Sequence, residues 1–148
     1  MKNCRHCNDP LKHSFLDLGS APPSNALLSQ EQLFKPEIYY PLRVMVCESC
    51  WLVQTEDFAT SEDLFQADYP YFSSTSRTWV AHARAFSLEI IEKLRLDDDS
   101  LAIEVASNDG YLLRNFVEAG IPCLGIEPTT GTADAAERLG VPVLREFF

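Results

Sequence analysis

The sequence predicts two structural parts: a small α+β module held together by four cysteines, and the front half of an α/β sheet. Residues 1–60 contain four of the five cysteines, a Pro-rich patch and no long helical pattern. From about residue 76 onward, helix and strand patterns alternate. We therefore expect a module over 1–60, an aromatic loop with a long connecting helix over 61–100, and the beginning of a sheet domain over 101–148.

The overall charge excludes several classes of partner. The chain has 12 Lys and Arg against 22 Asp and Glu, which gives a net charge of −10. Such a surface repels nucleic acid and anionic membranes. No apolar run approaches the roughly 20 residues that cross a bilayer, and the N-terminus lacks the apolar core of a signal peptide. We expect a cytoplasmic protein that binds neither nucleic acid nor a membrane.

Two Cys-x-x-Cys pairs, Cys4 with Cys7 and Cys47 with Cys50, predict one metal site. Four thiolates complete the tetrahedron that zinc prefers and leave no open position, which is typical of a structural site. The second pair forms the turn of a predicted hairpin between a strand over 40–46 and a strand over 51–54, as in a zinc knuckle. A reducing cytoplasm also argues against disulfides.

Other interpretations of these residues stay open at this point. One pair could be redox-active, although a redox Cys-x-x-Cys opens a helix in a thioredoxin-like unit and neither pair does so. His6 or His13 could replace a cysteine ligand, although a single histidine near a knuckle is more often exposed. Cys123 lies in an apolar segment, where we expect a small core residue.

The second part of the chain reads as β-α-β-α-β. An aromatic segment, Asp68 to Ser74, precedes a long helix over 76–95, which Ser74, Thr75 or Ser76 can cap. Strands are predicted over 101–105, 123–126 and 141–144, separated by helices over 111–119 and 131–139. This order is the front half of a doubly wound, Rossmann-like sheet.

The turn after the first of these strands is the predicted ligand site. Ligands of open α/β sheets bind beyond the carboxyl ends of the strands. The turn Ala106-Ser107-Asn108-Asp109-Gly110 has one glycine, but alanine is small and asparagine tolerates left-handed backbone angles. Glu127 closes the second strand, where an acidic side chain can accept both hydroxyls of a ribose. The alternative for Glu127 is a solvated acid at a strand end.

Together, these segments resemble the sugar C-methyltransferases that use S-adenosylmethionine, a family with an N-terminal four-cysteine zinc domain. The resemblance covers nearly the whole chain. It rests on the two cysteine pairs and on the segments Pro23-Ser24-Asn25, Tyr69-Pro70-Tyr71-Phe72-Ser73-Ser74, Glu104-Val105-Ala106-Ser107-Asn108-Asp109-Gly110-Tyr111-Leu112-Leu113 and Gly125-Ile126-Glu127-Pro128.

The resemblance implies methylation of the carbon beside the keto group of a nucleotide-linked deoxysugar. It implies that residues 104–110 surround the methionine part of S-adenosylmethionine and that Glu127 holds its ribose. Tyr69 and Tyr71 would lie near the sugar, or else serve as core aromatics. The implied cofactor-binding residues are Glu104, Ala106, Ser107, Asn108, Gly110, Tyr111, Glu127 and Pro128, beside a structural zinc on Cys4, Cys7, Cys47 and Cys50.

Members of that family are much longer than 148 residues. Their proton-transfer residues lie further toward the C-terminus, so we expect this chain to be an N-terminal portion with little or no catalysis. Two other interpretations remain. One is a non-catalytic zinc-binding interaction module. The other is part of an NAD-type oxidoreductase, against which the turn lacks the spaced glycines that a pyrophosphate needs.

Overall fold

The computed structural model describes residues 2–65 and 69–148, which divide into two compact units, Met1–Leu64 and Phe65–Phe148. Asp68, the first residue of the predicted aromatic segment, lies outside the described residues. Within the described ranges, no helix combines the length and apolar content that a membrane crossing requires. The finer boundaries at residues 60 and 100 stay predictions.

The first unit is built on a three-stranded antiparallel sheet in the order β1-β2-β3. β1 is His13–Ala21, β2 is Tyr40–Val46 and β3 is Val53–Thr55. A 3-10 turn, Gln32–Phe34, lies between β1 and β2, and a short helix α1, Ser61–Leu64, follows β3. The predicted strand over 40–46 is confirmed, and its antiparallel partner is present but runs over Val53–Thr55 rather than over 51–54.

Sequence analysis missed β1. Its pairing with β2 shifts register twice, between Ser14 and Leu16 and between Asp17 and Ser20. Gly19 has a φ of 77°, a left-handed conformation typical of β-bulges. Each bulge shifts the alternation of apolar and polar residues by one, so the strand has no clean period of two to detect in the sequence.

The first unit has little apolar core of its own. Among its described residues, the buried apolar side chains are Cys4, Leu11 and Cys47, with Met45, Cys50 and Leu52 packed around them. Large apolar side chains elsewhere in the unit face solvent, including Phe34 at 90% exposure and Leu27 at 80%. The cysteines therefore form the centre of the unit.

The second unit contains a three-stranded parallel sheet in the order β4-β5-β6. β4 is Ala102–Val105, β5 is Cys123–Ile126 and β6 is Val143–Leu144. Helix α2, Arg77–Leu94, precedes the sheet, and helices α3, Arg114–Glu118, and α4, Thr130–Arg138, connect the strands. The predicted fold class is thus confirmed: an antiparallel four-cysteine module followed by a parallel β-α-β-α-β sheet.

Local features determine where helices α2 and α3 begin. Ser76 caps α2, because its Oγ accepts a hydrogen bond of 3.3 Å from the amide of Trp79. The predicted start of the next helix at Tyr111 was three residues early. Residues 111–113 form a turn and α3 begins at Arg114, because the left-handed Asn108 and Gly110 delay the regular helix.

The core of the second unit lies between one face of the sheet and helices α3 and α4. Its buried members are Leu113, Phe116, Ile121, Cys123, Ala136 and Val141, so the expected core role of Cys123 is confirmed. Gly110 lies so close to α4 that an added Cβ would be 3.0 Å from Ala136 Cβ. This packing fixes the turn after β4 at the carboxyl edge of the sheet.

Candidate functional site

The four predicted metal ligands come together in the first unit. The Sγ atoms of Cys4 and Cys50 are 3.6 Å apart, and those of Cys7 and Cys47 are 3.5 Å apart. All four sulfur atoms lie within 4.8 Å of one another, and all four cysteines are free. Four zinc–sulfur bonds of about 2.3 Å require sulfur separations of roughly 3.8 Å, so the cluster fits a zinc ion.

The two cysteine pairs sit on matching turns. In the first turn, Cys4 N donates to Asp9 O at 2.7 Å and Asn8 N donates to Cys4 O at 2.9 Å. In the second turn, Cys47 N donates to Leu52 O at 3.0 Å and Trp51 N donates to Cys47 O at 3.1 Å. The residue after each second cysteine, Asn8 or Trp51, has a φ of 64°. Each turn therefore supplies two neighbouring corners of the tetrahedron.

Backbone and side-chain donors prepare two of the thiols for ionisation. The Cys7 amide, with Gln54 as a further donor, lowers the pKa of Cys4 to about 6. The amides of Cys50 and Ser49 lower the pKa of Cys47. At Cys7 the Asp9 amide also lowers the pKa, but desolvation and the other three sulfur atoms outweigh it and the pKa rises. Ionisation of all four sulfur atoms together therefore needs a cation between them.

The two histidines considered as alternative metal ligands lie outside the cysteine cluster. Neither His6 nor His13 belongs to the group of ligand atoms. His13 Nε2 instead lies 2.9 Å from Glu48 Oε2, and Lys12 also binds Glu48. This exposed ion-pair group lies beside the second cysteine turn and holds β1 to it.

Gln54 is a site residue that sequence reasoning missed. Its Nε2 donates to Cys4 Sγ at 3.2 Å, and its Oε1 accepts from the Arg5 amide at 3.1 Å. The side chain is buried on β3, so it connects the strand after the second cysteine pair to the turn of the first. The available signal was a polar residue two positions after Leu52, on the inward-facing side of the strand.

A cavity of about 400 Å³ opens at the carboxyl edge of the parallel sheet. Of the predicted cofactor-binding residues, those that line it are Ala106, Asn108, Tyr111, Glu127 and Pro128, and Tyr69 and Tyr71 line it as well. Glu104, Ser107 and Gly110 do not line it. The other lining residues are Phe65, Ser73, Val105, Ile126, Glu146, Phe147 and Phe148.

The turn after β4 is tight although it has one glycine. Ala106 and Asn108 adopt left-handed angles, with φ of 58° and 51°. Ser107 is fully buried against β5, where a Cβ on Gly125 would overlap its Oγ and lie 3.0 Å from its Cβ. Small residues at 106 and 125 thus bring the backbone of the turn to the edge of the cavity, which a ligand needs for close approach.

Glu127 lines the cavity and also binds the turn. Its Oε2 accepts a hydrogen bond of 3.0 Å from the Asn108 amide. Its Oε1 accepts from the Thr129 amide at 2.9 Å and from the Thr129 hydroxyl. A carboxylate oxygen has two lone pairs, so Oε1 is fully engaged and Oε2 keeps one acceptor position for a ligand.

Glu104 is held in an unusual ionisation state. Burial raises the pKa of its carboxyl from 4.5 to about 7, the Tyr111 hydroxyl opposes that shift in part, and nearby Asp109 adds to it. Glu104 Oε2 is buried without a hydrogen-bond partner. A carboxyl that titrates near neutral pH beside a cavity is a feature of functional sites.

Comparison with known proteins adds family information. A family model described as "Putative zinc binding domain" matches residues 4–65. The C-methyltransferase NovU of Streptomyces niveus is 30% identical over 145 residues, an alignment that covers 98% of this chain and 34% of that protein. The chain thus spans about a third of the length of this relative. It carries the zinc-binding domain in residues 4–65 and is a homologue of a C-methyltransferase, which confirms the family resemblance seen in its sequence.

Proposed function

We propose that this chain is part of an S-adenosylmethionine-dependent C-methyltransferase that acts on a nucleotide-linked keto-deoxysugar. The observation that carries the proposal is the cavity at the carboxyl edge of the sheet. It brings together Ala106, Asn108, Tyr111, Glu127 and Pro128 in a homologue of a C-methyltransferase. Its volume lies within the roughly 300–1,000 Å³ usual for cofactor pockets.

In this function Cys4, Cys7, Cys47 and Cys50 hold a structural zinc ion. The four sulfur atoms fill the coordination shell, so no position is left for water or substrate. Since the unit has few buried apolar residues, the metal supplies most of the cohesion. Structural zinc contributes roughly 10–16 kcal/mol to the folding of such modules.

The zinc assignment predicts how the chain responds to a chelator. Metal analysis should give one zinc ion per chain, and its removal should unfold residues 1–60 while α2 and the parallel sheet stay folded. Amide spectra before and after chelation distinguish the two units. Unchanged spectra for residues 1–60 after complete zinc removal would contradict a structural role.

Different residues at the cavity would contact different parts of the cofactor. S-adenosylmethionine supplies an electrophilic methyl group when it is bound. Glu127 Oε2 has one free lone pair for a ribose hydroxyl, and the left-handed backbone at Ala106 and Asn108 allows close approach. Glu104, Ser107 and Gly110 support this surface from behind, since they do not line the cavity.

The sugar would lie on the side of the cavity formed by Tyr69 and Tyr71. Methylation beside a ketone requires loss of a proton from that carbon and stabilisation of the enolate oxygen. Tyr71 is partly exposed at the cavity rim, which suits a phenol that contacts the sugar. We assign no general base, and we propose that the proton-transfer residues belong to the further part of the enzyme.

Calorimetry with S-adenosylhomocysteine and with NAD tests the cofactor class. We expect the first to bind and the second not to bind. Glu127→Gln should weaken S-adenosylhomocysteine binding about tenfold, since a hydrogen bond to a charged acceptor contributes about 1.5–3 kcal/mol. The matched control is Glu89→Gln, on an exposed part of α2. Binding of NAD alone would refute the proposal in favour of an oxidoreductase.

One observation favours a second candidate, a non-catalytic interaction module. The first unit exposes many large apolar side chains, among them Leu27, Phe34 and Trp51, and exposed apolar surface of this extent often marks a protein-binding face. Absence of binding by both ligands in the calorimetry, together with a zinc-dependent folded first unit, would favour this candidate.

A further inference from the structure

Two polar side chains of the turn after β4, those of Asn108 and Asp109, bind a neighbouring loop. We call residues 69–74 the tyrosine loop. Asn108 Oδ1 accepts a hydrogen bond of 2.9 Å from the Ser73 amide, and Asn108 Nδ2 donates to Tyr71 O at 3.1 Å. Asp109 Oδ2 accepts from the Ser74 amide at 3.0 Å. Three hydrogen bonds thus connect two adjacent side chains to three loop residues.

The bond to Ser73 is buried, and the bonds to Tyr71 and Ser74 are partly buried. Asn108 is 9% exposed, Asp109 is 2% exposed, and Ser73 is buried as well. The Ser74 bond also has a charged acceptor, which strengthens it. By comparison, the 3-10 turn at Ser73–Thr75 supplies the loop with one weak backbone bond, from the Thr75 amide to Phe72 O at 3.3 Å. The Thr75 hydroxyl adds a second local bond, to Phe72 O at 2.8 Å. The three bonds from Asn108 and Asp109 connect the loop to the turn after β4.

Asn108 also links the loop to the acidic residue of the cavity. Its amide donates to Glu127 Oε2 while its side chain binds Ser73 and Tyr71. The left-handed angle at Asn108, φ of 51°, is one that asparagine adopts more readily than most residues. One residue therefore connects the proposed ribose acceptor with the backbone that carries Tyr71.

We propose that Asn108 and Asp109 are positioning residues that hold the tyrosine loop at the cavity. Both polar side-chain atoms of Asn108 and the Oδ2 of Asp109 bind the loop, so through these three bonds the two residues act on a ligand by way of the position of the loop. The meaning of that position for a sugar substrate rests on the proposed function. The clamp itself does not, since it is defined by hydrogen bonds within the protein.

Hydrogen exchange of single amides tests the clamp on the zinc-loaded chain without ligand. Asn108→Gly keeps the left-handed backbone and removes the side chain, and we expect the Ser73 amide to exchange about three- to tenfold faster. Asp109→Ala should do the same for Ser74. Asp109→Asn keeps an oxygen acceptor and should restore most of the Ser74 protection.

Two controls separate the clamp from general loss of stability. The amides of Val80 in α2 and Ala133 in α4 report on the fold of the unit, and they should keep the wild-type rate in all three variants. Asn8→Gly makes the same substitution at another left-handed position, φ of 64°. It should leave the hydrogen-exchange rates of the Ser73 and Ser74 amides unchanged. Unchanged exchange at Ser73 in Asn108→Gly, or equal acceleration of all amides, would overturn the proposal.

A second arm connects the clamp to the proposed function. Saturating S-adenosylhomocysteine should slow exchange at Ser73 and Ser74 in the wild type more than in Asn108→Gly. Because coupling is reciprocal, S-adenosylhomocysteine should bind Asn108→Gly more weakly than the wild type, by the same factor as the difference in its effect on exchange. If the wild type does not bind this ligand, the proposed function fails, while the ligand-free exchange rates still decide the clamp. If it binds both proteins equally well, the coupling through Asn108 is refuted.

Discussion

Glu104 should make the stability of the second unit fall as the pH rises. Burial raises the pKa of its carboxyl from 4.5 to about 7 in the folded protein, whereas in the unfolded chain the carboxyl keeps its ordinary pKa. Between these values the folded state binds the extra proton, so the unfolding free energy decreases with increasing pH. Glu104→Gln replaces the carboxyl by an amide that does not ionise and should remove this dependence.

The expected size of the effect follows from the pH interval. Each pH unit in which the folded state alone keeps the proton is worth about 1.4 kcal/mol. Between pH 5.5 and full ionisation above pH 7, the upper limit is about 2 kcal/mol. Part of the side chain still contacts water, which screens the effect, so we expect about 1 kcal/mol.

Urea unfolding at pH 5.5 and pH 8.5 measures the effect. Trp79 lies in the second unit and Trp51 in the first, so a Trp51→Phe background makes the fluorescence report on the second unit alone. The comparison of wild type with Glu104→Gln cancels the other titrating groups. The wild type should lose about 1 kcal/mol more than the variant on going to pH 8.5. An equal loss in both proteins would refute the reasoning.

Two further changes test local packing. Gly125→Ala places a Cβ against Ser107 and should lower the unfolding free energy of the second unit by about 3 kcal/mol in the same assay. The control is Gly131→Ala in the first turn of α4, where an added Cβ makes only an ordinary contact at 3.6 Å. This variant should be neutral or stabilise the unit by about 0.5 kcal/mol. Equal effects of the two would contradict the overlap. Gln54→Leu removes the hydrogen bond to Cys4 and should speed zinc transfer to a chromogenic chelator about tenfold, while exposed Gln30→Leu should leave the rate unchanged.

The regular parts of the fold were predictable because their signals are local. The strand over 40–46 has a clear apolar alternation. The helix Arg77–Leu94 has a clear apolar period and an N-terminal cap. The cysteine cluster was predictable because a Cys-x-x-Cys spacing already fixes two corners of a tetrahedron. In each case a few neighbouring residues contain enough information.

Contacts between distant residues were not predictable in the same way. The bulges of β1 depend on how that strand pairs with β2. The role of Gln54 depends on a sulfur atom 50 residues earlier. Asn108 and Ser73 are 35 positions apart in the sequence, so the pattern of the turn does not reveal the hydrogen bond between them. Such polar contacts have no period in the sequence.

Buried oxygen atoms without partners distinguish the turn after β4 from the rest of the described chain. Glu104 Oε2, Ser107 Oγ and Asp109 Oδ1 lie in or beside that turn. The fourth such atom in the described ranges, Glu56 Oε2, is 2.7 Å from Arg43 Nε in an ion pair. An unpaired buried polar group costs about 1–3 kcal/mol, so a turn selected for stability alone would not contain three.

A ligand-binding role accounts for this concentration of unpaired groups. Proteins accept such local costs at functional sites. Glu104 and Ser107 do not line the cavity, so they act on a ligand through the backbone of the turn that they support. Ser107→Ala and Glu104→Gln should therefore each stabilise the second unit at pH 8.5 and weaken S-adenosylhomocysteine binding. Stability and affinity would then change in opposite directions, as measured by urea unfolding and calorimetry on the same variants. A loss of stability in both variants would mean that these groups serve the fold and that the turn owes its polarity to packing.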